Sequence, residues 1–407
     1  MRFLALFLIS NLFFFSSCKE NTTEKKLTSG LYIAELEAQD AEIIPFVFNV
    51  TSGSTLEIYN ADEVIEVDEI LYKNDSVIIH LPVFESVLRA KIGKDNTLNG
   101  FYIKPNENKI VPFTARIGKE RFETEKASAY NVSGNWEAVF SPENPEQHTM
   151  AKAIFSQENN KVTGTFRTTT GDYRYLEGVV EDNQLKLSTF DGAHAYLFTA
   201  TVTDSVMQGM FYSGNHWKEP FSAKRNEQFE LPDADTLTFL KEDYTGIEFS
   251  FPDATGKLVS LSDERFKNKV VIVQIMGTWC PNCLDETKYY TQYYNQNTDK
   301  PLEIVALAFE YAKSDTLAFK AINRLKERIQ VPYPILLAQY GSSSKSKAQE
   351  KLPMLNQVLS YPTSIFIDKH GNVRKIHTGF NGPATGKKFI KFKTEFESFL
   401  AELYQDK

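Results

Sequence analysis

Two cysteines, Cys280 and Cys283, are the residues whose types and spacing point most directly to chemistry. The 407-residue chain contains only three cysteines, and the third, Cys18, follows an apolar N-terminal segment. Thiols separated by two residues can form and break a disulfide with little change in the backbone, and this spacing is typical of a redox pair. We therefore predict thiol–disulfide exchange at Cys280 and Cys283.

The elements that position this pair are predicted to be a buried strand followed by a helix. Residues 270–276 form a continuous β-branched and apolar run, which is typical of a strand covered on both faces. Pro281 suits the first helical position because that position needs no backbone N–H partner. The unpaired N–H groups and the positive dipole end of the helix would stabilise the Cys280 thiolate, which is the attacking species. Cys283, one turn later, would resolve the mixed disulfide with a client.

Two other uses of the cysteine pair are disfavoured. A zinc knuckle needs four ligands, and the sequence offers neither a second cysteine pair nor a suitably placed histidine pair. A structural disulfide that closes a four-residue loop would remove little entropy from the unfolded chain. We therefore expect no metal and no cofactor other than the redox-active disulfide itself.

The C-terminal part of the chain alternates strand and helix patterns, as in an α/β domain. The predicted elements are strand 270–276, helix 281–297, strand 302–309, a helix from Ser314 or Asp315 to 329, strand 333–338, a polar loop 341–347, a hairpin of 362–368 with 373–378, and a final helix 385–403.

The N-terminal half has a different pattern, with short alternating segments separated by turn residues across residues 28–225. This pattern is typical of all-β structure. The half also repeats itself at an offset of 104 to 109 residues, and the matching segments are 30–34 with 134–138, 98–102 with 207–212, and 112–116 with 220–224. We predict two duplicated all-β units, either small barrels or sandwiches, ahead of the α/β domain.

Several motifs of the C-terminal domain occur in the order found in a known family. They are GKLVSLS at 256–262, KVVIV at 269–273, GTWCPNC at 277–283, and YPTSIFID at 361–368 with Gly371 after it. The domain resembles the TlpA/ResA group of membrane-anchored thiol-disulfide oxidoreductases, which have the thioredoxin fold and belong to the redoxin/AhpC-TSA superfamily. The resemblance covers residues 246–404 and says nothing about residues 28–225.

The resemblance implies roles for residues of this sequence by position. Cys280 is implied to be the attacking thiol and Cys283 the resolving thiol. Trp279 flanks the pair and Pro281 lies within it, and both are expected to contact the client. The implied activity is that of a thiol-disulfide oxidoreductase, and the family favours reduction of its clients.

The same resemblance implies a second group of site residues. Pro362 would follow a cis peptide bond and face the disulfide, and the backbone of Tyr361 would offer a strand-like docking edge to a client peptide. Glu286 stands where ResA-like members carry a glutamate near the thiols; it either shuttles the proton of the resolving thiol or is an ordinary first-turn glutamate. Gln274 stands where thioredoxin has a buried acid. Because Gln274 cannot titrate, proton transfer would fall to Glu286 or to water.

Residues 1–17 have the composition of an export signal, with Arg2 before an apolar run and small residues before Cys18. Residues 15–18, Phe-Ser-Ser-Cys, resemble a bacterial lipobox, although Phe15 stands where leucine is usual. We therefore predict that Cys18 is lipidated and that the protein is anchored in the bacterial cell envelope, facing the periplasm.

The charge and composition of the chain limit the kinds of partner that it can bind. The chain is 42% apolar and 24% charged, with a formal net charge of −8 and no long basic block, so it lacks the clustered cations that bind nucleic acid. The expected partners are a client protein with a disulfide or thiols, an upstream membrane electron donor or acceptor, and the membrane itself through the lipid anchor.

These observations predict six segments along the chain. They are a lipoprotein signal peptide over 1–17, a tether over 18–29, β-unit 1 over 30–117, β-unit 2 over 132–225, an acidic linker over 226–245 and a thioredoxin-like domain over 246–404.

Two alternative functions remain. A thioredoxin-fold copper carrier would use the two cysteines with a distant histidine, and His370 and His377 are available, but such carriers space their cysteines by three residues. The other alternative is a client-binding scaffold in which the β-half dominates function. Its pocket would draw on residues of β-unit 2, most of which are expected to fill the cores: Trp136, Tyr173, Tyr175, Phe190, His194, Phe211, His216 and Trp217.

Overall fold

The computed structural model describes residues 24–406. The predicted signal peptide, the predicted lipidation site Cys18 and residues 18–23 of the predicted tether lie outside the described residues. Within the described part of the chain, no helix is both long enough and apolar enough to cross a membrane.

β-unit 1 is one antiparallel sheet of nine strands. Strands β1 to β9 are Gly30–Glu37, Ile43–Ser52, Thr55–Asn60, Glu63–Val67, Glu69–Lys73, Ser76–His80, Val87–Ile92, Leu98–Lys104 and Lys109–Ile117. Their order is β4-β3-β2-β1-β9-β8-β7-β6-β5. Because Asp68 alone separates β4 from β5, the two edges of the sheet meet there and the sheet curls into a barrel. Alternate residues point inward, and Phe46, Phe48 and Phe113 belong to the interior.

β-unit 2 repeats this arrangement strand for strand. Strands β10 to β18 are Gly134–Phe140, Thr149–Glu158, Lys161–Thr168, Gly171–Asp172, Leu176–Glu181, Gln184–Phe190, Ala195–Val202, Val206–Ser213 and Trp217–Arg225. Their order is β11-β10-β18-β17-β16-β15-β14-β12-β13, and β11 also pairs with β12, which closes the barrel. The interior holds Trp136, Phe140, Phe166 and Phe198. The predicted pair of duplicated all-β units is confirmed, and both units are barrels.

The two barrels share an apolar contact. The ring of Phe190 in β15 stacks on Phe46 of β2 with centroids 4.1 Å apart. Close by, the side chain of Asn60 donates a 2.9 Å hydrogen bond to the carbonyl of Phe190. Leu197 and Tyr212 of β-unit 2 also belong to the apolar cluster of β-unit 1. The two barrels of the duplicated half are therefore packed against each other.

The C-terminal part is an α/β domain built on a five-stranded sheet. The strands of the domain are β19 Ser250–Pro252, β20 Leu258–Ser260, β21 Val270–Met276, β22 Leu302–Phe309, β23 Ile335–Gln339, β24 Thr363–Ile367 and β25 Val373–Thr378. The helices of the domain are α1 Pro281–Gln296, α2 Asp315–Ile329, α3 Lys345–Lys351 and α4 Lys387–Gln405. The sheet order is β23-β22-β21-β24-β25, with β19 and β20 forming a separate pair. Strands β21, β22 and β23 run parallel, whereas β24 and β25 are antiparallel to their neighbours.

The buried strands and long helices lie close to their predicted positions. Strand β21 is buried along its whole length, as the apolar run over 270–276 predicted. The largest difference is α3, which occupies part of the predicted polar loop over 341–347. This helix buries only Ala348, so the sequence gives it no apolar stripe from which a helix could be recognised. Strand β23 begins at Ile335, after Pro334, which cannot donate a ladder hydrogen bond.

The segment predicted as an acidic linker packs on the α/β domain. The carboxylate of Asp235 lies 2.6 Å from Nδ1 of His377 in β25. Thr378 donates a 2.8 Å hydrogen bond to the hydroxyl of Thr238. The segment therefore holds a fixed course along β25 in spite of its loop-like composition. The part of the chain that the structure describes also contains five short 3-10 helices: Gln39–Ala41, Pro105–Glu107, Ala234–Thr236, Glu264–Phe266 and Pro383–Thr385.

Candidate active site

The two cysteines form a disulfide at the start of α1, with Cα atoms 5.2 Å apart. Cys280 is the N-cap residue, and its Sγ accepts a 3.2 Å hydrogen bond from the backbone N–H of Cys283. Pro281 occupies the first helical position, as its missing N–H favours. Cys280 is 6% exposed, whereas Cys283 is fully buried. Cys280 is therefore the sulfur that an incoming thiol or disulfide can reach.

The residues expected around the disulfide on the strand side are also present there. The peptide bond between Tyr361 and Pro362 is cis. The carbonyl oxygen of Tyr361 lies 3.5 Å from Sγ of Cys280. The rings of Trp279 and Tyr361 meet edge to face, with centroids 5.6 Å apart. The structure thus brings Trp279, Pro281, Tyr361 and Pro362 to one place beside Cys280.

A buried acid that the sequence analysis did not select supports the loop before Cys280. The carboxylate of Glu310 accepts hydrogen bonds of 2.8 Å from both the backbone N–H and the hydroxyl of Thr278. Burial raises the pKa of Glu310 to about 7. Next to it, the indole N–H of Trp279 donates to the carbonyl of Phe309 at 3.0 Å. The signal in the sequence is an acid directly after the apolar run over 304–309.

Glu286 is completely buried, unlike a solvated first-turn glutamate. Its carboxylate accepts hydrogen bonds from Gln274 Nε2 at 2.8 Å, from Ser364 Oγ at 3.0 Å and from the Tyr290 hydroxyl at 3.2 Å. Burial raises its pKa to about 7, and the three hydrogen bonds only partly offset this rise. Glu286 of α1 therefore reaches Gln274 of β21, the position where thioredoxin has a buried acid.

β-unit 2 contributes directly to the surroundings of the cysteines, which the sequence did not indicate. We call residues 167–174, which connect the end of β12 to β14, the tip segment. The side chain of Asn282, between the two cysteines, donates to the carbonyl of Asp172 in this segment at 3.2 Å. The hydroxyl of Ser360 donates to the carbonyl of Thr170 at 2.9 Å. β-unit 2 therefore contacts both the start of α1 and the loop that contains the cis-proline.

Arg174 at the end of the tip segment connects all three parts of the protein. Its guanidinium pairs with Asp285 of α1 and with Glu63 of β-unit 1. It also lies 3.8 Å from the carboxylate of Asp191 in β-unit 2. Burial raises the pKa of Glu63, and burial also raises that of Asp172 to about 6. The cluster holds more acids than bases, so Arg174 is the cation on which its stability depends.

A cleft of about 280 Å³ opens between the tip segment and the disulfide. Its walls include Cys280 together with Tyr173, His194, Tyr196, Phe211, Trp217 and Trp279. A second cavity of about 420 Å³ shares His194, Tyr196 and Trp279 and extends to Lys104, Lys109 and His216.

The residues considered for a scaffold pocket lie partly in the cores and partly at the cleft, and Phe211 belongs to both. Trp136 and Phe190 are fully buried in the apolar cores. Tyr173, Phe211 and Trp217 line the cleft beside the cysteines. β-unit 2 thus adds aromatic walls to the redox site in addition to filling its own core.

The histidines named for a copper site have other surroundings. Nδ1 of His377 lies 2.6 Å from Asp235, and His370 lies in the turn between β24 and β25. Over residues 24–406, no group of three or more His, Cys, Asp or Glu side chains is placed to hold a metal ion.

The C-terminal domain is similar to known proteins. A family model described as Redoxin matches residues 241–389. The chain is 30% identical over 125 residues to the thiol-disulfide oxidoreductase ResA of Bacillus thuringiensis subsp. konkukian (strain 97-27), covering 31% of this chain and 62% of that protein. It is 26% identical over 140 residues to the thioredoxin-like protein YneN of Bacillus subtilis (strain 168), covering 34% of this chain and 73% of that protein.

Among solved structures, a thiol-disulfide oxidoreductase from Bacteroides fragilis NCTC 9343 shares 20% identity, with a TM-score of 0.27, over 37% of this chain and 99% of that chain. The match to the ResA protein of Bacillus thuringiensis spans less than two thirds of that protein's length. Its C-terminal part is a redoxin-type thiol-disulfide oxidoreductase domain with a Cys-x-x-Cys active site, and it follows two antiparallel β-barrels.

Proposed function

We propose that this protein is an exported, lipid-anchored thiol-disulfide oxidoreductase that reduces disulfides of client proteins with the dithiol form of Cys280 and Cys283. The observation that carries the proposal is the unequal exposure of the two sulfurs at the helix start. Cys280, 6% exposed, can meet a substrate, and Cys283, fully buried, can meet only Cys280. This asymmetry matches the division of labour between an attacking and a resolving thiol.

The reaction proceeds in two exchange steps. The Cys280 thiolate attacks one sulfur of the client disulfide, forms a mixed disulfide and releases the other client sulfur as a thiolate. Cys283 then loses its proton and attacks Sγ of Cys280, which releases the second client sulfur and closes the Cys280–Cys283 disulfide. Two electrons pass to the client, so each cycle requires an upstream membrane donor of two electrons and two protons.

Each neighbour has a proposed role in these steps. The N–H of Cys283 and the start of α1 stabilise the Cys280 thiolate. Glu286, with a pKa near neutrality, takes the proton of Cys283 when the mixed disulfide resolves, either directly or through a water. Trp279 and Pro281 form the client contact on the helix side.

Tyr361 and Pro362 form the client contact on the strand side. The carbonyl of Tyr361 already lies beside Sγ of Cys280. In this proposal its backbone pairs with an extended client segment when that segment presents its sulfur to Cys280.

Trapping of the mixed disulfide tests this assignment. The reduced Cys283→Ser protein should form a covalent adduct with a disulfide-linked peptide pair, and the adduct should dissolve on addition of dithiothreitol. The matched Cys280→Ser protein should form no adduct and should not turn over. Adduct formation by Cys280→Ser, or full turnover by it, would show that the roles are wrong.

The proposed location rests on the sequence around Cys18. Fatty-acid labelling of the full chain in bacterial cells should mark the protein, and the Cys18→Ser variant should lose the label and leave the membrane fraction. A Cys18→Ser protein that remains in the membrane fraction would contradict the anchor without affecting the redox assignment.

A further inference from the structure

The tip segment of β-unit 2 lies beside the edge on which a client backbone would dock. Ser360, immediately before Tyr361, bonds to the carbonyl of Thr170 at 2.9 Å. On the other side, a Cβ built on Gly379 would lie 2.8 Å from the carbonyl carbon of Thr170, so the two backbones touch. Gly379 also donates its N–H to the carbonyl of Pro362 at 2.9 Å. Thr170 therefore contacts two segments beside the cis-proline: the one that precedes it, at Ser360, and the one that is hydrogen-bonded to it, at Gly379.

Further contacts fix the tip segment in this place. Nε of Arg167 donates to the side-chain oxygen of Asn381 at 2.9 Å. The N–H of Gly382 donates to the carboxylate of Asp172 at 2.6 Å. A Cβ on Gly171 would lie 2.1 Å from the side-chain nitrogen of Asn282, so the fit leaves no space for a larger residue. These contacts extend from the cysteine motif to the loop after β25.

Cys280 lines the cleft of about 280 Å³ beside the tip segment. This volume lies just below the roughly 300–1,000 Å³ of sites that hold drug-sized ligands. A cysteine side chain or a small disulfide fits such a space. A disulfide held in a folded protein brings the neighbouring elements of that fold with it, and their bulk would collide with the tip segment before the sulfur reaches Cys280.

We propose that the tip segment is a size filter on the Cys280–Cys283 pair. Sterically unhindered disulfides, whether in a small molecule or on a flexible peptide, reach Cys280 through the cleft. A disulfide held in a folded protein reacts only when the tip segment moves away from Ser360 and Asn381. This inference rests on the proposed function and adds the substrate class to it.

Comparison of three substrates tests the filter on the full chain. The reduced protein is mixed with oxidised glutathione, with an unstructured peptide dimer joined by one disulfide, and with insulin as a folded substrate, and the second-order rate constant of the single turnover is measured for each. The double variant Ser360→Ala/Asn381→Ala removes two hydrogen bonds to the tip segment. The matched control Gln184→Ala/Thr201→Ala removes a 3.2 Å hydrogen bond between side chains elsewhere in β-unit 2.

The double variant should raise the second-order rate constant for insulin by about tenfold, the change in an opening equilibrium expected for loss of such hydrogen bonds. Its rates with oxidised glutathione and with the peptide dimer should change less than about twofold, within the scatter of surface substitutions. The control should leave all three rates unchanged.

Two results would overturn the filter. One is an equal change of all three rates in the Ser360→Ala/Asn381→Ala protein, and the other is no change in any of them. If the unmodified protein turned over none of the three substrates, the proposed function itself would fail, so the two failures are distinguishable.

Discussion

The side-chain amide of Gln274 in β21 donates a 2.8 Å hydrogen bond to the carboxylate of Glu286 in α1, and both residues are completely buried. This contact places an ionisable group of the helix at the strand position where thioredoxin has its own acid. A buried carboxyl can serve a proton transfer near neutral pH only if its pKa rises from its ordinary value, and burial raises that of Glu286 to about 7.

Replacement of Glu286 by glutamine should change the pH dependence of stability. The folded pKa, about 7, lies above the ordinary value of 4.5, so the folded state binds the proton more tightly than the unfolded state. Unfolding free energy therefore falls as the pH rises from 4.5 to 7, by at most about 3 kcal/mol. The Glu286→Gln protein lacks this loss. Its unfolding free energy, measured relative to that of the unmodified protein, should therefore be higher at pH 8 than at pH 5.

Urea unfolding of the two proteins at pH 5 and pH 8 measures this difference. Other raised carboxyls, such as Glu310, are present in both proteins and cancel in the comparison. An identical stability difference at both pH values would mean that Glu286 does not titrate differently in the folded protein.

The same substitution should change the kinetics of the second exchange step. If Glu286 takes the proton of Cys283, resolution of the mixed disulfide should slow by about 10²-fold in Glu286→Gln, and its rise near pH 7 should disappear. Single-turnover reduction of the peptide dimer between pH 5 and pH 9 separates the two steps. Glu310→Gln is the matched control, because Glu310 is also buried with a pKa of about 7 but binds Thr278.

The control protein should keep the rise near pH 7 in the resolution step. If the rise survived in Glu286→Gln and vanished in Glu310→Gln, the proton acceptor would be Glu310 instead.

Arg174→Met should destabilise the protein strongly. Removal of the guanidinium leaves Glu63 and Asp285 as buried acids without their partner, and breaking a buried pair in this way typically costs about 3–5 kcal/mol. Lys161→Met is the control, since Lys161 forms a 3.1 Å pair with Glu177 from a side chain that is 61% exposed. Its loss should cost less than about 1 kcal/mol.

Urea unfolding at pH 7 compares the Arg174→Met and Lys161→Met proteins. At pH 4 the effect of Arg174→Met should shrink, because Glu63, whose pKa is raised by burial, then takes up a proton. Equal destabilisation by both substitutions at pH 7 would contradict the structural importance of the Arg174 cluster.

The sequence predicts the fold well where periodicity is strong. Strand β21 and helix α2 coincide with their predicted bounds, because one is a continuous apolar run and the other has a serine cap at Ser314. The duplication follows from repeated motifs. Helix α3 was not predicted, because one buried alanine makes no pattern.

The active site is predictable only in its local part. Cys280 and Cys283 follow from their spacing, and the resemblance adds the cis bond before Pro362, which the structure contains. The contacts of Asn282 with Asp172 could not be predicted, since they join residues 110 positions apart through the docking of two domains. No local periodicity encodes such a contact.

The most direct test of the account is a redox titration of the full chain in glutathione or dithiothreitol buffers, with the state of Cys280 and Cys283 read by thiol alkylation. We expect one two-electron transition at about −250 mV or below, the range of a reductant such as thioredoxin. A transition near −120 mV, the range of an oxidant, would contradict the proposed direction. A pair that never closes at any potential would contradict thiol–disulfide exchange itself.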